Sequence, residues 1–141
     1  MRSQAAAVSV KIAHSLIDEI VEHAREEIPN ECCGIIAISD GAAVKVFRAT
    51  NSDASPVRYS LDPREQYEIT MEIERQGWEL GAIYHSHTRS AAYPSQTDVN
   101  LAFYPDALYL IVSLAQPETP DVRAFRIVDA KISEADLAIE G

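Results

Sequence analysis

Residues Glu79 to Asp98 read ELGAIYHSHTRSAAYPSQTD, and the fold turns on how this stretch is read. The first nine residues, Glu79 to His87, form an apolar run of strand length that ends in two histidines. Such a run reads as a buried strand. Side chains two apart on a strand share a face, so His85 and His87 present their rings to the same side. Thr88 to Pro94 is loop. Ser95 then opens a short helix that carries Asp98 back toward the histidines.

Working outward, Val8, Val10 and Ile12 alternate with Ser9 and Lys11, which predicts a short first strand. Leu16, Ile17, Ile20, Val21 and Ala24 follow helical spacing from about His14 to Ile28, and Pro29 and Asn30 stop that helix. Cys33 to Ile38 and Val44 to Phe47 flank Asp40-Gly41, a hairpin signal. Asn51 to Pro56 is loop. Asp62 as N-cap and Pro63 at the first helical position open a second helix to about Gln76, which Gly77 ends. Ala107 to Leu114 and Arg123 to Val128 predict two further strands, and Pro117 and Pro120 keep the segment between them out of a central ladder. The tail is expected as a short turn or strand. The order β-α-β-β-α-β-α-β-β is an α/β arrangement whose hairpins imply a mixed β-sheet.

At 141 residues the chain has room for one core, so residues 1–141 are expected to form a single domain. Its net charge is −10, and such a surface repels phosphate backbones and anionic headgroups, which argues against nucleic acid and membrane as partners. The only cysteines, Cys32 and Cys33, are adjacent. They cannot staple a loop and read as small buried hydrophobes at the start of a strand, in keeping with a reducing cytosol. The apolar run Ala5 to Val10 is too short for a signal-peptide core or a membrane span, which predicts a cytoplasmic protein.

Two imidazoles and one carboxylate suit Zn²⁺, and three protein ligands leave a fourth position open, as in catalytic zinc sites. Each residue also has a plainer reading. A His-x-His pair arises easily by chance. Ser95-x-x-Asp98 ahead of Val99, Leu101 and Ala102 matches a capping box, and on local pattern alone the capping reading ranks ahead of the ligand reading; both can hold together. Glu31, between a helix stop and a strand start, is the candidate proton acceptor for a metal-bound water. Taken singly it reads as an exposed loop glutamate.

The set Glu31, His85-Ser86-His87, seven residues, Ser95, two residues and Asp98 resembles the JAMM motif of the MPN-domain metallopeptidases. The resemblance runs from the first strand to Val128. It implies an MPN, cytidine-deaminase-like domain, with a mixed β-sheet flanked by helices. It implies that His85, His87 and Asp98 bind one Zn²⁺, that Glu31 is the general acid/base through the zinc water, and that Ser95 hydrogen-bonds that water or the oxyanion. Ile83 and Thr88 stand where many members have Trp and Pro; neither is a ligand. The insertions of the deubiquitinating members do not fit in so short a chain. Tyr93-Pro94-Ser95, Thr97-Asp98-Val99 and Phe125-Arg126-Ile127-Val128-Asp129 resemble instead the minimal bacterial members of the Mec type. That likeness implies a peptidase of cysteine biosynthesis, which hydrolyses the bond after the Gly-Gly tail of a small ubiquitin-fold sulfur-carrier protein and releases cysteine or a short peptide. Within this reading Arg89, just after His87, is a candidate for binding the carboxylate of the released residue. The alternatives are a non-catalytic MPN scaffold module and a JAMM isopeptidase with a different substrate.

Overall fold

A computed structural model describes residues 9–141; the Val8 end of the first strand and most of the Ala5 to Val10 run lie outside them. The elements are β1 (Ser9–Ala13), α1 (His14–Glu27), β2 (Cys33–Ser39), β3 (Ala42–Ala49), α2 (Pro63–Arg75), β4 (Glu79–His87), α3 (Gln96–Asn100), β5 (Leu108–Ser113), β6 (Asp121–Val128) and β7 (Lys131–Glu140). The seven strands form one sheet in the order β1-β3-β2-β4-β5-β6-β7, which closes on itself through a parallel contact of Lys11 with Ala42. β2 pairs antiparallel with β3 and β4, and β6 with β5 and β7; β4 runs parallel to β5, and β1 to β7. The sheet is therefore mixed, as expected.

Local chemistry sets the hairpin and the second helix. Asp40 and Gly41 have φ of 53° and 79°, the two left-handed positions of a type I′ turn, and glycine takes the second without a steric cost. Asp62 accepts hydrogen bonds from the backbone N–H groups of Arg64 and Glu65 at 2.9 and 3.1 Å, and Pro63 follows it.

The central strands are apolar throughout because both faces are covered. On one face Ile36 of β2, Tyr84 of β4 and Val112 of β5 pack with Ile17, Ile20 and Ala24 of α1. On the other, Cys33, Ile35 and Ile83 pack with Ile69 and Ile73 of α2. Gly34 lies against the ring of Tyr84, where a Cβ would collide with it. His85 and His87 continue the face of Ile83, and Ser86 that of Tyr84.

One element differs from the expectation. The tail is a ten-residue strand, β7, which pairs with both β6 and β1. It is longer than the short turn or strand expected, because only Ala135, Leu137 and Ile139 alternate and the backbone ladders on two sides hold the rest. Cys32 and Cys33 are free and buried, as expected. No helix among the described residues is long and apolar enough to cross a membrane.

Candidate metal centre

The carboxyl end of β4 delivers the two histidines, and the start of α3 delivers the carboxylate. His85 Nε2 lies 3.2 Å from His87 Nε2 and 3.1 Å from Asp98 Oδ2, and His87 Nε2 lies 3.0 Å from the same oxygen. All three side chains are buried. His87 Nδ1 is 2.8 Å from the Ala91 carbonyl. A carbonyl only accepts, so Nδ1 carries the hydrogen and Nε2 turns a lone pair inward. Two ring nitrogens and a carboxylate oxygen then face one point, an arrangement that repels itself unless a cation or a proton stands among them.

The donor triangle fits a single divalent ion. Tetrahedral bonds of about 2.0–2.2 Å to three such atoms separate them by roughly 3.3–3.5 Å, a few tenths of an ångström wider than the triangle of 3.0 to 3.2 Å. Two buried atoms without a hydrogen-bond partner lie in this region, Glu31 Oε1 and His85 Nδ1. A ligating histidine usually fixes its second nitrogen on an acceptor. His85 has none; its ring is stacked instead on Tyr59, at 4.4 Å between centroids and 20° between planes.

The capping box at Asp98 is formed, and it leaves the carboxylate facing the two imidazoles. Asp98 N donates to Ser95 Oγ at 3.0 Å, and Ser95 N donates to Asp98 Oδ2 at 2.9 Å. That oxygen is the one facing both imidazoles. Ser95 Oγ spends acceptor capacity on the cap and keeps its own hydrogen for another partner.

The electrostatics follow from burial and proximity. Burial alone would raise the pKa of Asp98, but the adjoining His85 and His87 rings and the Ser95 N–H hold it well below the usual carboxylate range. Burial opposes a charge on both rings. At His85 it wins and lowers the pKa; at His87 the Asp98 carboxylate and the Ala91 carbonyl outweigh it and raise the pKa. Asp98 is thus the fixed anion and His87 the more basic ring.

Glu31 is not an exposed loop residue: it is 3% exposed. Burial, the largest influence, pushes its carboxyl up to about 8; His87 pulls it down and Asp98 adds to the rise. Three backbone anchors fix the segment. Glu31 N donates to the Ser55 carbonyl at 2.9 Å, Asn51 Nδ2 donates to the Glu31 carbonyl at 3.0 Å, and Cys32 N donates to Ser86 Oγ at 2.8 Å.

Asn51, Ser86 and Tyr59 were not singled out in the sequence. Asn51 also donates to the Arg58 carbonyl and accepts from Asp53 N and Ser60 N, so all four of its hydrogen-bonding positions are filled. Its setting, Asn-Ser-Asp, reads only as a turn. Ser86 could have been flagged from strand alternation, as a polar residue on a core-facing position.

Glu31, His87, Ser95 and Arg89 line one cleft of about 770 Å³, whose apolar walls include Ile28, Val57 and Leu114. The structure thus brings the six residues singled out in the sequence to one place: His85, His87 and Asp98 as a donor triangle, and Glu31, Ser95 and Arg89 around the adjoining cleft.

A three-ligand donor set of nitrogen and oxygen, beside a cleft holding an unpartnered carboxyl group, could hold one ion with a coordination position left open. Comparison with known proteins agrees. Residues 13–128 match the family model described as prokaryotic homologs of the JAB domain, and the chain belongs to this JAB/MPN family. It is 40% identical over 130 residues to the CysO-cysteine peptidase of Mycobacterium tuberculosis, covering 91% of this chain and 89% of that one. It is 39% identical to the desampylase of Haloferax volcanii, over 74% of this chain and 80% of that one. Among solved structures, protein DSY2949 from Desulfitobacterium hafniense superposes with a TM-score of 0.85 at 34% identity, covering 93% of this chain and 92% of that one.

Proposed function

We propose that this chain is a zinc-dependent peptidase that hydrolyses the bond after the Gly-Gly tail of a small ubiquitin-fold sulfur-carrier protein, releasing a C-terminal cysteine or a short peptide. The observation that carries this reading is the convergence of His85, His87 and Asp98 on one point beside the buried, unpartnered carboxyl of Glu31. The carrier follows from the 40% identical relative named CysO-cysteine peptidase, which this chain matches over nearly its whole length.

When bound, a zinc ion supplies a Lewis acid and makes water a nucleophile at neutral pH. The chain's own groups do the rest. His85, His87 and Asp98 hold the ion, and the Ala91 carbonyl fixes the tautomer of His87. Glu31, with a pKa lifted to about 8, exchanges protons near neutrality; it accepts the proton of the attacking water and delivers it to the departing amine. The free O–H of Ser95 donates to the negative charge that develops on the scissile carbonyl oxygen. The apolar walls of the cleft exclude water from an extended tail lying along it.

A second reading keeps the chemistry and changes the bond: the relative named desampylase, 39% identical, favours an isopeptidase acting on carrier conjugates. Incubating the protein and zinc with a carrier–cysteine adduct, a carrier joined to a lysine side chain, and controls with chelator or Glu31→Ala, followed by mass spectrometry, separates the two. The expected result is loss of cysteine from the first substrate only, abolished in both controls. An intact adduct in every arm rejects the peptidase reading.

A further inference from the structure

The described residues include eight arginines, and seven have a polar partner on the chain. Arg48 pairs with Glu19, Glu22 and Glu26, Arg58 with Asp53, Arg64 with Glu68, Arg75 with Glu72, and Arg123 with Asp121 and Glu134. Arg25 donates to the Pro117 carbonyl and Arg126 to that of Pro105. Arg89 alone among the described arginines makes no hydrogen bond or ion pair, in a chain of net charge −10 where acidic partners are plentiful. Arg89 is an exposed residue that lines the cleft beside the donor triangle. It is not spent on Glu31, whose Oε1 has no partner.

We infer that Arg89 forms a carboxylate subsite, and that the enzyme therefore selects leaving groups that end in a free α-carboxylate directly after the cut. The inference rests on the peptidase reading above and adds the substrate feature that is recognised. Two residues of chain span at most roughly 7 Å, so the Arg89 backbone stays close to that of His87, within reach of the cleft that both residues line. A single-residue leaving group carries its carboxylate one residue-length, about 3.6 Å, beyond the scissile nitrogen. Guanidinium and carboxylate match two bonds to two oxygens. Arg89 is the only arginine or lysine lining this cleft, so it is the side chain there that can pair with a carboxylate. A lysine side chain leaving from an isopeptide bond offers four methylenes at the same place and no anion. Hydrolysis balances in either case: the C–N bond breaks, water supplies OH to the carbonyl carbon, and its proton goes to the amine.

The test uses the full chain with zinc and two matched carrier adducts ending in Gly-Gly-Cys, one with a free carboxylate and one as the C-terminal amide. The wild type is expected to favour the acid roughly tenfold or more in kcat/KM, the range of a charge-assisted hydrogen bond. Arg89→Met keeps an apolar stem and removes the charge; its acid-to-amide ratio falls toward one through a rise in KM for the acid. Arg89→Lys keeps the charge without the fork and falls between. Equal cleavage of acid and amide by the wild type, or equal loss of both in Arg89→Met, overturns the carboxylate subsite while leaving the peptidase reading intact. Cleavage of neither adduct by the wild type overturns the peptidase reading, and the subsite with it.

Discussion

Replacing Glu31 by glutamine should raise the stability of the metal-free protein and abolish catalysis at once. Glu31 has a folded-state pKa of about 8 against an ordinary value of 4.5, with burial as the main cause. The raised value means that the fold favours the neutral acid. Below pH 4.5 the group is protonated in both folded and unfolded states and contributes no difference. As pH rises from 4.5 toward 8 the unfolded chain releases the proton and the folded chain holds it, so stability is lost over that window. At 1.36 kcal/mol per pH unit, the penalty reaches about 3 kcal/mol at pH 7. Glutamine has nearly the same shape and no charge to bury, so the variant escapes the penalty. Urea denaturation of chelator-treated protein is the assay. The two proteins should unfold together near pH 4.5 and diverge above it, with the variant midpoint higher by about 1–2 M at pH 7 for a urea slope of about 2 kcal/mol/M. With zinc restored, the variant should lose about 10²- to 10⁴-fold in kcat, the contribution of general acid–base catalysis. A stability difference that is flat from pH 4.5 to 8.5 would refute the reasoning, since it would show that Glu31 titrates alike folded and unfolded.

Four further outcomes follow from the same geometry. Ser95→Ala removes the acceptor for Asp98 N; it should lower stability by about 1 kcal/mol, read as a melting point lower by about 2–4 °C, and weaken zinc binding as well. Tyr59→Leu removes the ring stacked on His85 and should weaken zinc affinity about 10- to 100-fold by chelator competition, while Tyr59→Phe retains it; equal affinity in all three proteins would discard the clamp. Asn51→Ala strands four backbone groups around Glu31 and should cost about 2–4 kcal/mol in urea denaturation. Because the His87 pKa is raised and a ligating imidazole must be neutral, apparent zinc affinity measured by chelator competition should fall steadily on acidification; an affinity unchanged between pH 8 and pH 5 would count against His87 as a ligand.

What could be read from the sequence, and what could not, divides along physical lines. β4 was legible because its middle, Leu80 to Tyr84, has no charged residue, as a strand covered on both faces requires. The hairpin was legible because only a few residue types accept two left-handed positions in a row, and Asp40-Gly41 supplies them. β7 was legible only in part: the tail was expected as a short turn or strand, because the period-two set Ala135, Leu137 and Ile139 covers only its second half, and the full length is held by pairing to β1 and β6 from distant parts of the chain. Asn51 and Tyr59 escaped for a similar reason. Each sits in a loop with no periodicity, and its importance comes from what lies across from it, the Glu31 carbonyl and the His85 ring.

The sequence ranked a capping box ahead of a metal ligand at Asp98 while allowing both, and the coordinates show the cap on an oxygen that also faces the two imidazoles. A helix of five residues is far too short to persist unaided, so α3 depends on its cap and on what the cap touches. One oxygen, Asp98 Oδ2, accepts from Ser95 N and also faces His85 and His87. The cap orients the carboxylate before any ion arrives, which reduces the ordering that binding requires. A cation held by that oxygen in turn fixes the residue on which the first turn of α3 is built. The same Ser95 that caps the helix lines the cleft. The spacing Ser-x-x-Asp thus sets a helix start and, in the proposed reading, a ligand and a hydrogen-bond donor as well, and that is why a pattern common in unrelated helices becomes informative beside His85 and His87.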